Sequence, residues 1–137
     1  MRRRPTPRTP RDRGAAAVEF ALLLPLLMLL VFGIVDFGRA LNAQITLTQA
    51  AREGARMAAL GEPNVVSSTQ AAATGLNPVS VTVTSCPTGA AAGTNAVVQV
   101  SYKFSFFTPV AAIAKIFGSS FGSTMTLTAQ GVMPCET

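Results

Sequence analysis

An apolar run from Ala15 to Val35 constrains the fold of this chain more than any other feature. It holds one ionisable residue, Glu19, together with Pro25 and Gly33, and as a helix it would be about 32 Å long. That length crosses the hydrocarbon core of a bilayer, so the sequence predicts a transmembrane helix over residues 15–35. A carboxylate is costly in such a segment, so Glu19 either has a partner or lies close enough to the headgroups to stay hydrated. Pro25 removes a helical hydrogen bond and predicts a kink or a loosened turn, which makes it a candidate hinge.

Residues 1–14 form a basic leader with six arginines and one aspartate, and their net charge of +5 equals the formal charge of the whole chain. Basic residues stay on the cytoplasmic side of a membrane helix. We therefore expect a single-pass protein of the cytoplasmic membrane, with a cytoplasmic N-terminus, an extracytoplasmic C-terminal domain and membrane lipid as a partner. A nucleic-acid tail is the alternative for a basic arm, but the adjoining apolar run favours topology, so we expect no nucleic acid.

Residues 36–60 lack proline and predict that the helix continues as a stalk outside the membrane, up to a stop at Gly61 and Pro63. Two pairs of opposite charge have helical i,i+3 spacing, Asp36 with Arg39 and Glu53 with Arg56, and both are interpreted as solvated pairs. Several side chains fall close to one helical stripe: Phe37, Leu41, Ile45, Thr48 and Ala55.

Residues 61–137 predict a small α+β domain. A short helix is expected within residues 65–74, strands at 79–84, 96–107 and 123–132, and a second short helix at 110–117. The strands would form a three-stranded antiparallel sheet that packs on the upper half of the stalk. The fold class is therefore α+β, with a long N-terminal helix and a small C-terminal antiparallel sheet.

The chain has two cysteines, Cys86 and Cys135. In an extracytoplasmic domain an even pair favours a disulfide, and a domain this small benefits from a staple worth about 4 kcal/mol on the chain-entropy model. Two buried free thiols are the alternative.

The sequence contains two short matches to catalytic motifs, and both are interpreted as chance. The glycine–serine segment at residues 118–122 has the spacing of a nucleophile elbow, but the chain has no histidine to serve as the base. The tripeptide at residues 36–38 lacks the other kinase motifs and follows a membrane segment. The sequence thus predicts no enzyme, with no catalytic residue, no metal site, no cofactor and no small-molecule substrate.

Three segments carry a family resemblance: GAAAVEF at residues 14–20, LLLPLLMLLVFGIVDFGR at 22–39 and AAREGAR at 50–56. They resemble the TadE-like proteins, pilin-related subunits of tight-adherence (Flp-type) pilus systems. The resemblance implies that a prepilin peptidase cuts between Gly14 and Ala15. Glu19 would then be the fifth mature residue, followed by Phe20, and would pair with the amine of a neighbouring subunit during assembly.

The partners that the resemblance implies are the prepilin peptidase, other pilin or pseudopilin subunits and the pilus assembly platform. Major Flp-type pilins are little more than the helix, whereas this chain has an outer domain, which favours a minor pilin or pseudopilin. The alternative is an uncleaved, single-pass adhesion or binding module, which needs the same anchor but retains its basic leader.

Overall fold

The structure is a computed structural model that describes residues 10–89, 91, 93–107 and 124–135. Its elements are α1 (Pro10–Ala59), α2 (Val65–Ala72), β1 (Val79–Thr84), β2 (Asn95–Ser105) and β3 (Thr124–Pro134). The long N-terminal helix and the small antiparallel sheet confirm the predicted α+β class. The predicted helix at residues 110–117 and the glycine–serine segment at 118–122 lie outside the described residues.

Helix α1 is continuous from the apolar run into the outer domain, and Pro25 lies inside it. The helix ends at Ala59, and the predicted stop at Gly61 terminates it because this glycine adopts a positive φ of 69° that a residue with a Cβ rarely adopts. The N–H of Gly61 donates to the carbonyl of Ala58, and the N–H of Glu62 donates to that of Met57 at 3.0 Å. These two bonds form a Schellman motif, which satisfies carbonyls that the last turn would otherwise leave unpaired.

The three strands form one antiparallel sheet in the order β1-β2-β3. Val79 pairs with Tyr102, and the longer β2–β3 ladder runs from Asn95 opposite Pro134 to Ser105 opposite Thr124. Alternate residues of β2 are buried, including Ala96, Val98, Val100 and Phe104, because side chains alternate between the two faces of a strand. The buried face of the sheet packs on α1.

The face of α1 that contacts the sheet is built mainly from small residues, with Leu47 as its one large side chain. Its buried members are Ala43, Leu47, Ala50, Ala51, Gly54, Ala55 and Ala58. The approach is so close that a Cβ on Gly131 of β3 would overlap the main-chain carbonyl of Ala51. A Cβ on Gly54 would overlap the hydroxyl of Thr69 in α2. The small residues of the AAREGAR segment therefore form the surface on which the domain folds.

The stripe predicted from large apolar residues does not coincide with this packing face. Phe37, Leu41 and Ile45 are exposed, and only Ala55 of the stripe is fully buried. Around Ala51 and Gly54 the helix lies too close to its neighbours for large side chains, so alanine and glycine occupy most of the contact and Leu47 is its one large buried member.

Candidate functional site

The N-terminal half of α1 stands clear of the outer domain. Every residue from 14 to 35 is exposed, including large apolar side chains such as Leu22 and Leu26. Among the described residues, one helix is long and apolar enough to cross a membrane, judged by length and composition. None of its most apolar 18-residue segment is buried against the rest of the chain. The core helix of a water-soluble domain would bury such a surface, so this exposure fits a single-pass membrane anchor.

The predicted processing and assembly residues lie together at the start of this exposed helix. Gly14, Ala15, Glu19 and Phe20 are all helical and all exposed. Ala15 and Glu19 are four residues apart, so the backbone nitrogen of Ala15 and the Glu19 carboxylate lie one turn apart on one face. A Cβ on Gly14 would have no neighbour within 4 Å. Within the part of the chain that the structure describes, nothing shields this position from another protein.

Pro25, the candidate hinge, lies in the exposed half of α1, which is helical on both of its sides. Its ring lies below the part of the helix that packs on the sheet. Any bend at this residue would therefore leave the core of the outer domain unchanged.

Asp36 marks the point where the apolar run ends, and the structure corrects its interpretation as half of a solvated pair. Its side chain is only 4% exposed. Oδ1 accepts a hydrogen bond from Nη1 of Arg39 at 3.1 Å and another from the backbone N–H of Phe107 at 3.2 Å. The chain just after β2 thus covers the carboxylate, a long-range contact that helical spacing alone cannot predict.

Arg39 extends this junction towards the sheet. Its guanidinium carbon lies 5.3 Å from the ring centroid of Phe104, within the range of a cation–π contact. Phe104 in turn meets Phe106 edge to face, with ring centroids 5.4 Å apart. We call Asp36, Arg39, Phe104 and Phe107 the junction cluster. It fixes one end of the sheet to the helix where the apolar run ends. We call this end, formed by the last residues of β2 and the first of β3, the lower end of the sheet.

Glu53 and Arg56 form the solvated pair that their spacing predicted. Nη2 of Arg56 lies 2.7 Å from Oε1 of Glu53, and both side chains are about half exposed. The hydrogen bond from Arg56 lowers the pKa of Glu53, and the same bond raises the pKa of Arg56. Because the carboxyl pKa is lowered in the folded chain, the small stabilisation from this pair is lost as the pH falls through that pKa.

The cysteines are joined at the opposite end of the sheet from the junction cluster. The sulfur atoms of Cys86 and Cys135 lie 2.01 Å apart, and their Cα atoms 5.8 Å apart. Cys86 follows β1 and Cys135 follows β3, and the N–H of Cys135 donates to the carbonyl of Thr94 at 2.9 Å. The bridge therefore ties the ends of the two edge strands together across the start of β2.

The outer domain has no obvious chemical centre in its described part. Within residues 10–89, 93–107 and 124–135, no three potential metal ligands of the His, Cys, Asp and Glu types come together. The candidate functional residues described above therefore lie in α1 and at its junction with the sheet.

Comparison with protein families places a match on this same helix. The family model of TadE-like proteins matches residues 14–56. Searches of curated proteins and of solved structures gave no match. The matched segment begins at the predicted processing position and ends with the small-residue face that packs on the sheet. Over this part of α1, the chain is therefore similar to TadE-like proteins.

Proposed function

We propose that this chain is a minor pilin or pseudopilin of a tight-adherence-type pilus. Residues 15–35 would span the cytoplasmic membrane, with the leader of residues 1–14 in the cytoplasm and the outer domain on the other side. A prepilin peptidase would cut between Gly14 and Ala15. The observation that carries this proposal is an exposed apolar helix with one carboxylate, Glu19, one turn from the nitrogen that cleavage would free.

Cleavage changes the electrostatics of the helix start in a way that favours assembly. It removes a leader of net charge +5 and creates an α-amine at Ala15. In apolar surroundings an unpaired carboxylate is unfavourable, so Glu19 is stabilised by a neighbouring subunit that supplies an amine at the right height. A neighbour brings its amine to this height in one register only, so a charge pair between subunits would select that register.

The exposed apolar surface supplies the attraction once register is set. Between Phe20 and Phe32 the helix presents mainly leucine, with no charged residue. Packing such helices against one another and against the assembly platform replaces lipid contacts with protein contacts of similar polarity. Transfer from the membrane into a fibre would then retain an apolar environment for these side chains.

Processing is tested by the intact mass and N-terminal sequence of the protein from membranes, with and without the co-resident prepilin peptidase. We expect a chain that begins at Ala15 only when the peptidase is present. Gly14→Leu should abolish this product, because it changes the residue at the cleavage position. Gly33→Leu is the matched control and should be cleaved normally. An added Cβ at either glycine has nothing within 4 Å, so neither substitution should disturb the fold. A wild-type chain that retains residues 1–14 beside an active peptidase would contradict the proposal and favour an uncleaved anchored module.

The role of Glu19 is tested by incorporation of the processed protein into sheared pili or cross-linked assemblies. Glu19→Gln keeps the shape of the side chain and removes its charge, so incorporation should fall at least about tenfold, equivalent to about 1.4 kcal/mol of assembly free energy. Glu62→Gln, at an exposed carboxylate beyond the end of α1, is the matched control and should assemble normally. Equal incorporation of the Glu19→Gln variant and the wild type would rule out the charge pair.

A further inference from the structure

The lower end of the sheet is level with the end of the apolar run. Nε2 of Gln44 donates to the carbonyl of Thr128 at 2.9 Å, and Ala51 abuts Gly131, so α1 and β3 run in the same direction. Between these two contacts the helix and the strand each advance about 10 Å, at about 1.5 and 3.3 Å per residue. When the helix and the strand are followed from Gln44 and Thr128 towards their N-termini at these rates, Thr124 is about level with Asp36.

The hydrogen bond between Asp36 and Phe107 places this end of the sheet at the same height along α1, independently of the contacts of β3. The backbone N–H of Phe107 donates to Oδ1 of Asp36 at 3.2 Å, so the end of the β2 chain meets the helix one residue beyond Val35. Ser105 and Thr124 form the last pair of the β2–β3 ladder, at the end nearest to Asp36.

Large apolar side chains are exposed at this level. Phe107 is 86% exposed, the largest exposed fraction among the large apolar residues described, and Phe37 is 65% exposed. Met125, which pairs with Phe104 near the start of β3, is 44% exposed. We call Phe37, Phe107 and Met125 the lower rim. These side chains lie at the height where the exposed apolar run of α1 ends and the outer domain begins.

We propose that the lower rim inserts into the headgroup region of the bilayer, so that the outer domain docks on the lipid surface around its own membrane helix. Aromatic and apolar side chains at an interface bury their apolar parts among the upper acyl carbons, while charged groups stay at headgroup level. Arg39, whose side chain is 49% exposed, lies at the height where anionic headgroups would meet it. The junction cluster holds the rim at this height, and the docking does not depend on removal of the leader.

This inference rests on the proposed membrane position of residues 15–35. Lipid is favoured over a second copy of the chain because the rim lies at the height where the apolar run that the bilayer would cover ends. A second copy would have to meet the rim at the membrane surface itself, where lipid is present on all sides of the helix.

The chain contains no tryptophan, so a single substitution provides an unambiguous fluorescent reporter. The test uses the full chain with Phe107→Trp, reconstituted into phosphatidylcholine vesicles with and without bromine on the upper acyl carbons. Leu60→Trp is the matched control, since Leu60 is exposed and lies about 36 Å along the helix from Asp36. Bromine is present in both leaflets, so the direction of insertion does not affect the result.

We expect the Phe107→Trp emission to be blue-shifted and quenched about twofold or more by brominated lipid, as for a ring about 5–10 Å inside the headgroup boundary. The Leu60→Trp emission should be unaffected by bromine. A red-shifted, unquenched signal from Phe107→Trp would overturn the proposal, because the rim would then lie in water. A blue shift without bromine quenching would also overturn it and would indicate cover by protein.

Discussion

Cys135→Ser should lower the free energy of unfolding of the outer domain by about 4 kcal/mol, because the bridge closes a loop with a sequence separation of 49. The outer domain is small, and its three-stranded sheet has one buried face, so a loss of this size is a large share of its stability. The measurement is amide hydrogen exchange of β2 in the full chain, held in a bilayer under non-reducing conditions. This method reports the opening of the sheet while the membrane helix stays in lipid.

The double variant Cys86→Ser with Cys135→Ser is the matched control. Either substitution alone already opens the loop, so the double variant should lose no more than the single one. Reduction of the wild-type protein should accelerate exchange to the same degree. A loss below about 1 kcal/mol in all three would mean that the bridge contributes little to holding the sheet together.

Gly131→Ala should destabilise the outer domain by about 3 kcal/mol, near the upper end of what overpacking a core costs. The added Cβ would overlap the main-chain carbonyl of Ala51 and would lie 2.9 Å from the backbone nitrogen of Arg52. Main-chain atoms of a helix cannot rotate away as a side chain can, so the helix and the sheet must separate. The exchange rates of β2 and β3 amides measure the effect.

The sign of this result is informative because alanine would otherwise stabilise a strand relative to glycine. Gly38→Ala, on the open side of α1 with nothing within 4 Å, is the matched control. It should be neutral or stabilise the chain by up to about 1 kcal/mol. A Gly131→Ala variant as stable as the wild type would contradict the close approach of α1 and β3.

Much of the fold was predictable because the decisive signals are local. The alternation VSVTVT predicted β1 at the bounds that the structure has, and Gly61 marked the end of α1. The length of the apolar run and its resemblance to TadE-like proteins identified the helix that carries the candidate site. Such features depend on neighbouring residues, so they can be read without knowledge of tertiary packing.

The packing face of α1 was not predicted, because the usual pattern assumes that a helix buries its largest apolar side chains. Here the contact with β3 at Gly131 is so close that Ala51 and Gly54 occupy it, while Phe37 and Leu41 are exposed. The AAREGAR segment contained the signal, as a run of small residues at helical spacing.

The burial of Asp36 was missed for a different reason. Its partner Phe107 is 71 residues away along the chain, and a hydrogen bond to a backbone N–H leaves no trace in side-chain spacing. The i,i+3 pairing with Arg39 is real, but it explains only part of the contacts of this carboxylate. Long-range polar contacts of this kind depend on where the sheet ends relative to the helix.

One continuous helix forms the apolar segment and also packs under the sheet of the outer domain. The rotation of the domain about the helix axis is therefore set by the number of residues between the two parts. Adding one residue between Val35 and Asp36 would turn the domain by about 100° relative to the exposed leucines of the apolar run and raise it by about 1.5 Å. Conversely, a torque applied to the membrane half would be transmitted to the sheet through Ala51 and Gly54 without an intervening loop. Between Pro25 and the outer domain, the rotation of the helix therefore determines the direction that the sheet faces.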